Sequence, residues 1–251
     1  KKNFGNSVNS LACKTIPEIF ETINDENSFG VVPLENSTAG AVNLTLDALQ
    51  TTELKICGEL EMPIKHSLLA SQSKLEKIKS VYGHQQSLSQ CKSKLLNLLP
   101  KVKIIPVESS GLALKKAKQV STNACIAHES FASEHNLKVC RRNMEDEKNN
   151  TTRFVIIGTN SPLKSGFDKT SIIISLENKP GALSKVLKIF ELSRVNLSYI
   201  QSRPSKKDKW SYSFFLDFEG HSKTIKIKKL LSRLEKNSIS LKLLGSYPKA
   251  I

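Results

Sequence analysis

The chain has 251 residues, 39% hydrophobic and 24% charged, which is enough apolar material for one large core or two ordinary ones. Its longest apolar runs, such as Ser171 to Leu176 and Ser213 to Leu216, fall far short of the roughly 20 residues of a membrane helix, and the polar opening Lys1 to Ser10 lacks the apolar stretch of a secretory signal, so no membrane partner and a cytoplasmic location are expected. The net charge of +15 invites a nucleic-acid reading, but 17 Lys+Arg against 7 Asp+Glu fall in residues 166–251, spread over positions such as Lys206, Lys207, Lys209, Lys226, Lys228 and Lys229 with few aromatics between them. That pattern fits a solvated lysine-rich surface, which would also attract an anionic metabolite, and no nucleic-acid partner is expected.

From Ile16 to Ala132 short apolar strands alternate with helical patterns, the mark of a layered α/β domain. Strands are predicted at Phe29 to Pro33, Leu54 to Cys57, Ser67 to Ala70, Ile78 to Tyr82, Lys103 to Pro106 and Ala124 to Ala127, with helices between them. The spacing of Leu88, Cys91, Leu95 and Leu98 or Leu99 predicts one helix over Gln86 to Leu99. A further strand is predicted at Phe154 to Ile157, and the turn-rich segment Asn160 to Asp168 predicts a boundary between domains at 1–165 and 166–251. Beyond it the pattern reads strand (Lys169 to Leu176), helix (Gly181 to Leu192), strand (Leu197 to Pro204), strand (Trp210 to Phe218), helix (Ser222 to Leu234) and strand (Ser238 to Gly245). The apolar stripes of both helices suit one face of one sheet, so a ferredoxin-like βαββαβ domain is expected.

Five scattered cysteines and five scattered histidines form no zinc or redox spacing, and no metal or cofactor is expected. Chemistry is concentrated in three polar stretches. Pro33-Leu34-Glu35-Asn36-Ser37-Thr38-Ala39-Gly40 follows a strand and precedes the helical run Val42 to Gln50, a place where α/β domains hold anions, although Ser37 or Thr38 serves equally as a helix cap. Tyr82-Gly83-His84-Gln85-Gln86-Ser87-Leu88-Ser89-Gln90-Cys91 again passes from strand to helix, and Asn149-Asn150-Thr151-Thr152-Arg153-Phe154 enters a strand with an arginine suited either to a carboxylate or to a surface ion pair.

In this order the stretches resemble the Pro-x-Glu-Asn-Ser, Ser-His-Pro-Gln with Gln-Cys, and Asn-x-Thr-Arg-Phe motifs of prephenate dehydratases. Asn178-Lys179-Pro180-Gly181-Ala182-Leu183, Gln201-Ser202-Arg203-Pro204 and Leu244-Gly245-Ser246-Tyr247-Pro248 resemble motifs of the ACT regulatory domain that follows in that family, so the likeness runs from about Ile16 to the end. The resemblance implies a two-lobed, periplasmic-binding-protein-like catalytic domain followed by an ACT domain. It implies decarboxylating dehydration of prephenate to phenylpyruvate, regulation by phenylalanine, and a homodimer or homotetramer. Arogenate dehydratase and a catalytically weakened amino-acid-binding protein are the alternatives.

By the same resemblance Thr152 meets the departing hydroxyl; apart from the resemblance, Glu35 is the other candidate acid if burial raises its pKa. Asn36, Ser37, His84, Gln86, Gln90 and Arg153 bind substrate, while Asn178, Gly181, Ala182, Leu183, Gln201, Ser202 and Arg203 bind the effector. Three departures stand out. The family's opening Gly-Pro-x-Gly-Thr/Ser-Phe/Tyr motif has no counterpart after Lys1, so the catalytic domain is expected to be N-terminally incomplete; Gly83 and Gln85 replace serine and proline; and Gln201 replaces an acidic residue. The lost hydroxyl at Gly83 predicts one fewer hydrogen bond to substrate, and Gln201 predicts weaker effector binding.

Overall fold

The computed structural model describes residues 8–204 and 212–250. The strand start expected at Trp210, the lysines at 206, 207 and 209, and the first seven residues of the polar opening lie outside the described residues. The helices are α1 (Ile16–Thr22), α2 (Asn43–Thr51), α3 (Gln85–Gln90), α4 (Lys92–Leu98), α5 (Ser110–Gln119), α6 (Phe131–Glu134), α7 (Ala182–Leu192) and α8 (Ile225–Glu235). The strands are β1 (Gly30–Asn36), β2 (Gly40–Ala41), β3 (Lys55–Pro63), β4 (Ser67–Ala70), β5 (Ser80–His84), β6 (Lys103–Val107), β7 (Asn123–Ala127), β8 (Lys138–Arg141), β9 (Thr151–Gly158), β10 (Asp168–Leu176), β11 (Leu197–Pro204), β12 (Tyr212–Glu219) and β13 (Ser240–Pro248).

Packing divides the chain into one compact unit of residues 1–62 with 152–251 and a second of residues 63–151, inserted between β3 and β9. Sheets built from either side of residue 165 belong to the first compact unit.

In the inserted unit the sheet order is β6-β5-β7-β4-β8, parallel across β6-β5-β7 and antiparallel at β4 and β8. Parallel neighbours need long crossovers, and α3, α4 and α5 supply them. Every residue of β7 is buried because Ala124 and Ile126 enter one core with Leu68, Val81, Leu88 and Leu95, while Cys125 and Ala127 enter another with Leu69 and Leu114. The single helix expected over Gln86 to Leu99 is broken at Cys91 (φ −118°, ψ 4°). There Asp146 accepts from the backbone N–H groups of Ser93 (3.0 Å) and Lys94 (2.9 Å), capping a second helix start inside the apolar stripe.

The first unit holds two sheets, β2-β1-β9-β3 and β11-β12-β10-β13. The second follows the βαββαβ path the pattern predicts. Ile172, Ile174, Leu216 and Phe218 lie on its helical side against Val186, Phe190, Ile227, Leu230 and Leu234. Its other face contributes Ile173, Phe215, Leu244 and Tyr247 to the core of the first sheet, beside Val32, Leu34, Ile56, Val155 and Ile157. Alternation along β10 thus serves two cores, which explains a strand buried at nearly every position.

Candidate functional site

β1 and β9 run antiparallel and place Asn36 opposite Thr152 and Glu35 opposite Arg153. Successive side chains of a strand leave opposite faces. Asn36 and Thr152 therefore share one face and meet, Asn36 Nδ2 donating to Thr152 Oγ1 at 2.9 Å. The amide orientation follows from its other end: Asn36 Oδ1 accepts from Thr38 N (3.1 Å), Thr38 Oγ1 (2.7 Å) and Ala39 N (2.9 Å), so oxygen faces the turn and nitrogen faces Thr152. The Thr152 oxygen is an acceptor in this contact, which leaves its hydrogen to be donated elsewhere. Gly40, at φ 79°, closes the same turn in a conformation that favours glycine. Both Asn36 and Thr152 are buried, and Ser37 is exposed at the turn.

Glu35 and Arg153 occupy the opposite face. Burial pushes the Tyr199 hydroxyl well up, and the nearby Glu35 and Asp217 carboxylates add to it. Arg153 was expected to bind a substrate carboxylate, but its guanidinium is engaged within the protein. Nε donates to Glu59 (2.7 Å), Nη1 to Asp217 (2.6 Å) and Nη2 to the Tyr247 hydroxyl (3.1 Å), with the Tyr199 ring 5.9 Å away. Lys169 adds a second cation 2.8 Å from Glu59. Burial on its own would lower the Arg153 pKa, yet Asp217, Tyr247 and Glu59 carry it above the ordinary arginine value, so the charge is permanent.

In the inserted unit, Gln90 Oε1 lies 3.0 Å from His66 Nε2, a buried histidine that the sequence reading passed over. Glu145, also buried, accepts from His66 N (3.0 Å) and pairs with Lys65 (3.2 Å), and Asp146 N donates to Gln90 O. Burial opposes the ionised Glu145, and the His66 N–H together with Lys65 overcomes it and lowers its pKa. The signal for His66 was faint: a histidine at the mouth of an apolar strand, 24 residues before the glutamine it orients.

His84 Nδ1 accepts from Gln86 N at 3.3 Å, so His84 caps α3 and Nε2 is the nitrogen left to donate. Gln86 is exposed, on the first turn of that helix. The missing serine hydroxyl at Gly83 has a structural reading that the sequence did not suggest. A Cβ there would sit 3.0 Å from Leu88 side-chain atoms and 3.5 Å from Ile126, so it would point into the core.

Among the effector candidates, Gly181 sits at φ 81° as the N-cap of α7 and Asn178 is exposed. Ala182 N already donates to Lys179 O at 3.2 Å, and Leu183 packs at the edge of the helical core. On β11, Gln201 Nε2 donates to Ser202 O (3.1 Å), and Ser202 is exposed. Arg203 forks onto Asp47 of α2 through Nε (3.0 Å) and Nη2 (2.8 Å).

Among the described residues no helix is long and apolar enough to cross a membrane, and no three His, Cys, Asp or Glu side chains are grouped to hold a metal.

Residues 1–162 match the family model for prephenate dehydratase, and residues 170–236 match that for the ACT domain. The chain is 44% identical to the bifunctional chorismate mutase/prephenate dehydratase of Pseudomonas aeruginosa, with all of the chain and 69% of that protein aligned. It is 39% identical to the prephenate dehydratase of Methanocaldococcus jannaschii over 94% of the chain and 86% of that protein. The crystal structure of prephenate dehydratase from Arthrobacter aurescens in complex with L-Phe superposes with a TM-score of 0.85 at 30% identity, covering 94% of this chain and 80% of that one.

Proposed function

The chain belongs to the prephenate dehydratase family and carries an ACT domain toward its C-terminus, and on that premise we propose that it converts prephenate to phenylpyruvate, with residues 1–165 catalytic and 166–251 regulatory. The reaction breaks the bond to the ring carboxylate, which leaves as CO2. The released electron pair aromatises the ring, the C–O bond breaks, and the departing hydroxyl takes up one proton to leave as water. The enzyme's tasks are to hold the retained keto-acid carboxylate and to donate a hydrogen bond or proton to the leaving oxygen.

The observation that carries this proposal is the Asn36–Thr152 contact. An amide donating into Thr152 Oγ1 at 2.9 Å makes the oxygen an acceptor there and leaves the hydroxyl hydrogen for another partner, as a donor to a leaving hydroxyl requires. A threonine hydroxyl is too weak an acid to supply a full proton, so Thr152 acts as a positioned donor or relay. Asn36, Ser37, His84, Gln86 and Gln90 orient the substrate through neutral hydrogen bonds. Glu35, on the far face of β1, is the weaker candidate for the acid.

Phenylalanine is the proposed effector, bound through Asn178, Gly181, Ala182, Leu183, Gln201, Ser202 and Arg203 in a homodimer or homotetramer, and the cytoplasm is the proposed location. The test is to incubate the purified chain with prephenate and with arogenate in parallel and to measure phenylpyruvate and phenylalanine formation, with and without added phenylalanine. Phenylpyruvate from prephenate, suppressed by phenylalanine, is the expected result. Preference for arogenate moves the activity to the transaminated substrate, and no product from either leaves the chain a binding protein.

A further inference from the structure

Arg153 neighbours Thr152 in the chain, yet it projects from the other face of β9 into the second sheet. Its three donors go to three acceptors on three strands: Glu59 on β3, Asp217 on β12 and Tyr247 on β13. The circuit closes on itself. Tyr247 accepts from Arg153, so its own hydrogen goes to Ser171 Oγ at 2.7 Å, and the Ser171 hydroxyl donates to Asp217 Oδ1 at 2.5 Å. Lys169 on the same strand as Ser171 balances the second carboxylate, so two cations meet two anions within the network. Such a network has sharp geometric requirements, because each buried charge displaced from its partner is left in a poorly polarisable interior.

We propose that Arg153 is a positioning residue for Thr152, anchored by Asp217 and Tyr247 of the second sheet, and that it sets the aim of the Thr152 hydroxyl without touching substrate. This inference rests on the proposed role of Thr152 at the leaving hydroxyl. The peptide between residues 152 and 153 is planar and stiff, so a guanidinium fixed on one face of β9 fixes the direction in which Thr152 leaves the other. A slip of β9 by one residue would break all three Arg153 bonds and reverse Thr152. Asn36 holds the hydroxyl from its own face, and Arg153 holds the backbone beneath it. Donor groups at reacting centres need placement within about 0.5 Å, and two restraints from opposite faces supply it.

The test uses the full chain with Asp217→Asn and Tyr247→Phe, both close in shape to the native residues, each made alone and in a Thr152→Ala background. The expected result is a kcat lower by about tenfold or more with KM changed by less than about twofold, since misaiming a group that acts only on the transition state spares ground-state binding. In the Thr152→Ala background the same substitutions should produce no further loss, because there is no hydroxyl left to aim. An undiminished kcat in whichever of the two variants folds, or an equal fractional loss with and without Thr152, overturns the inference. Wild-type protein that forms no phenylpyruvate, or Thr152→Ala at the full rate, instead sinks the functional reading on which it stands.

Discussion

A Cβ on Gly245 would collide with the backbone carbonyl oxygen of Ile56, so β13 of the second sheet lies against β3 of the first at a separation only glycine permits. The obstructing atom belongs to the main chain and cannot rotate away. Gly245→Ala should therefore lower stability by about 1–3 kcal/mol or more through overpacking, read as a fall in the thermal unfolding midpoint. An unchanged midpoint would mean that the two strands separate freely.

Asn36→Asp keeps an oxygen acceptor for Thr38 and Ala39 but cannot donate to Thr152. The carboxylate would draw the Thr152 hydroxyl hydrogen toward itself and away from a leaving group. Turnover should fall by about 10²- to 10⁴-fold, the range general-acid contributions span, with the circular dichroism spectrum retained. A variant as fast as the wild type would show that the donor side of Asn36 is not used.

Burial alone would raise the Glu59 carboxyl, but Arg153 and Lys169 outweigh it and hold its pKa below the ordinary value. A depressed carboxyl stabilises the fold in full above the unfolded glutamate value of about 4.3, and that contribution is lost as pH falls through the folded value. Glu59→Gln leaves the Arg153 and Lys169 charges less well matched, a change of the kind that costs about 3–5 kcal/mol in buried pairs. Denaturant unfolding should show that deficit at neutral pH and a narrowing gap to the wild type below about pH 4.3. A gap constant from neutrality to strong acid would contradict it.

Particular residues show which parts of the architecture were legible in the chain. Ser67–Ala70 and Leu197–Pro204 are strands at the expected bounds because their apolar runs and flanking turns are local signals. The break at Cys91 was not, because the apolar spacing continues through it and the carboxylate responsible, Asp146, comes from more than fifty residues downstream. Arg153 was legible as a carboxylate partner in chemistry but not in identity. Its carboxylates, Glu59 and Asp217, lie 94 and 64 residues away along the chain and belong to the protein itself. Asn36 and Thr152 were singled out by motif, while the direction of the bond between them needed the turn at Thr38 and Ala39.

We propose that the Thr152 hydroxyl, held by Asn36, donates to the departing hydroxyl, and exchanging that one oxygen isolates its role. Rates of phenylpyruvate formation from prephenate should be compared for Thr152→Ser, which keeps the hydroxyl, and Thr152→Val, which keeps the shape without it. The serine variant should stay within about tenfold of the wild type while the valine variant loses about 10²- to 10⁴-fold. A valine variant that turns over like the wild type would remove the Thr152 hydroxyl from the reaction.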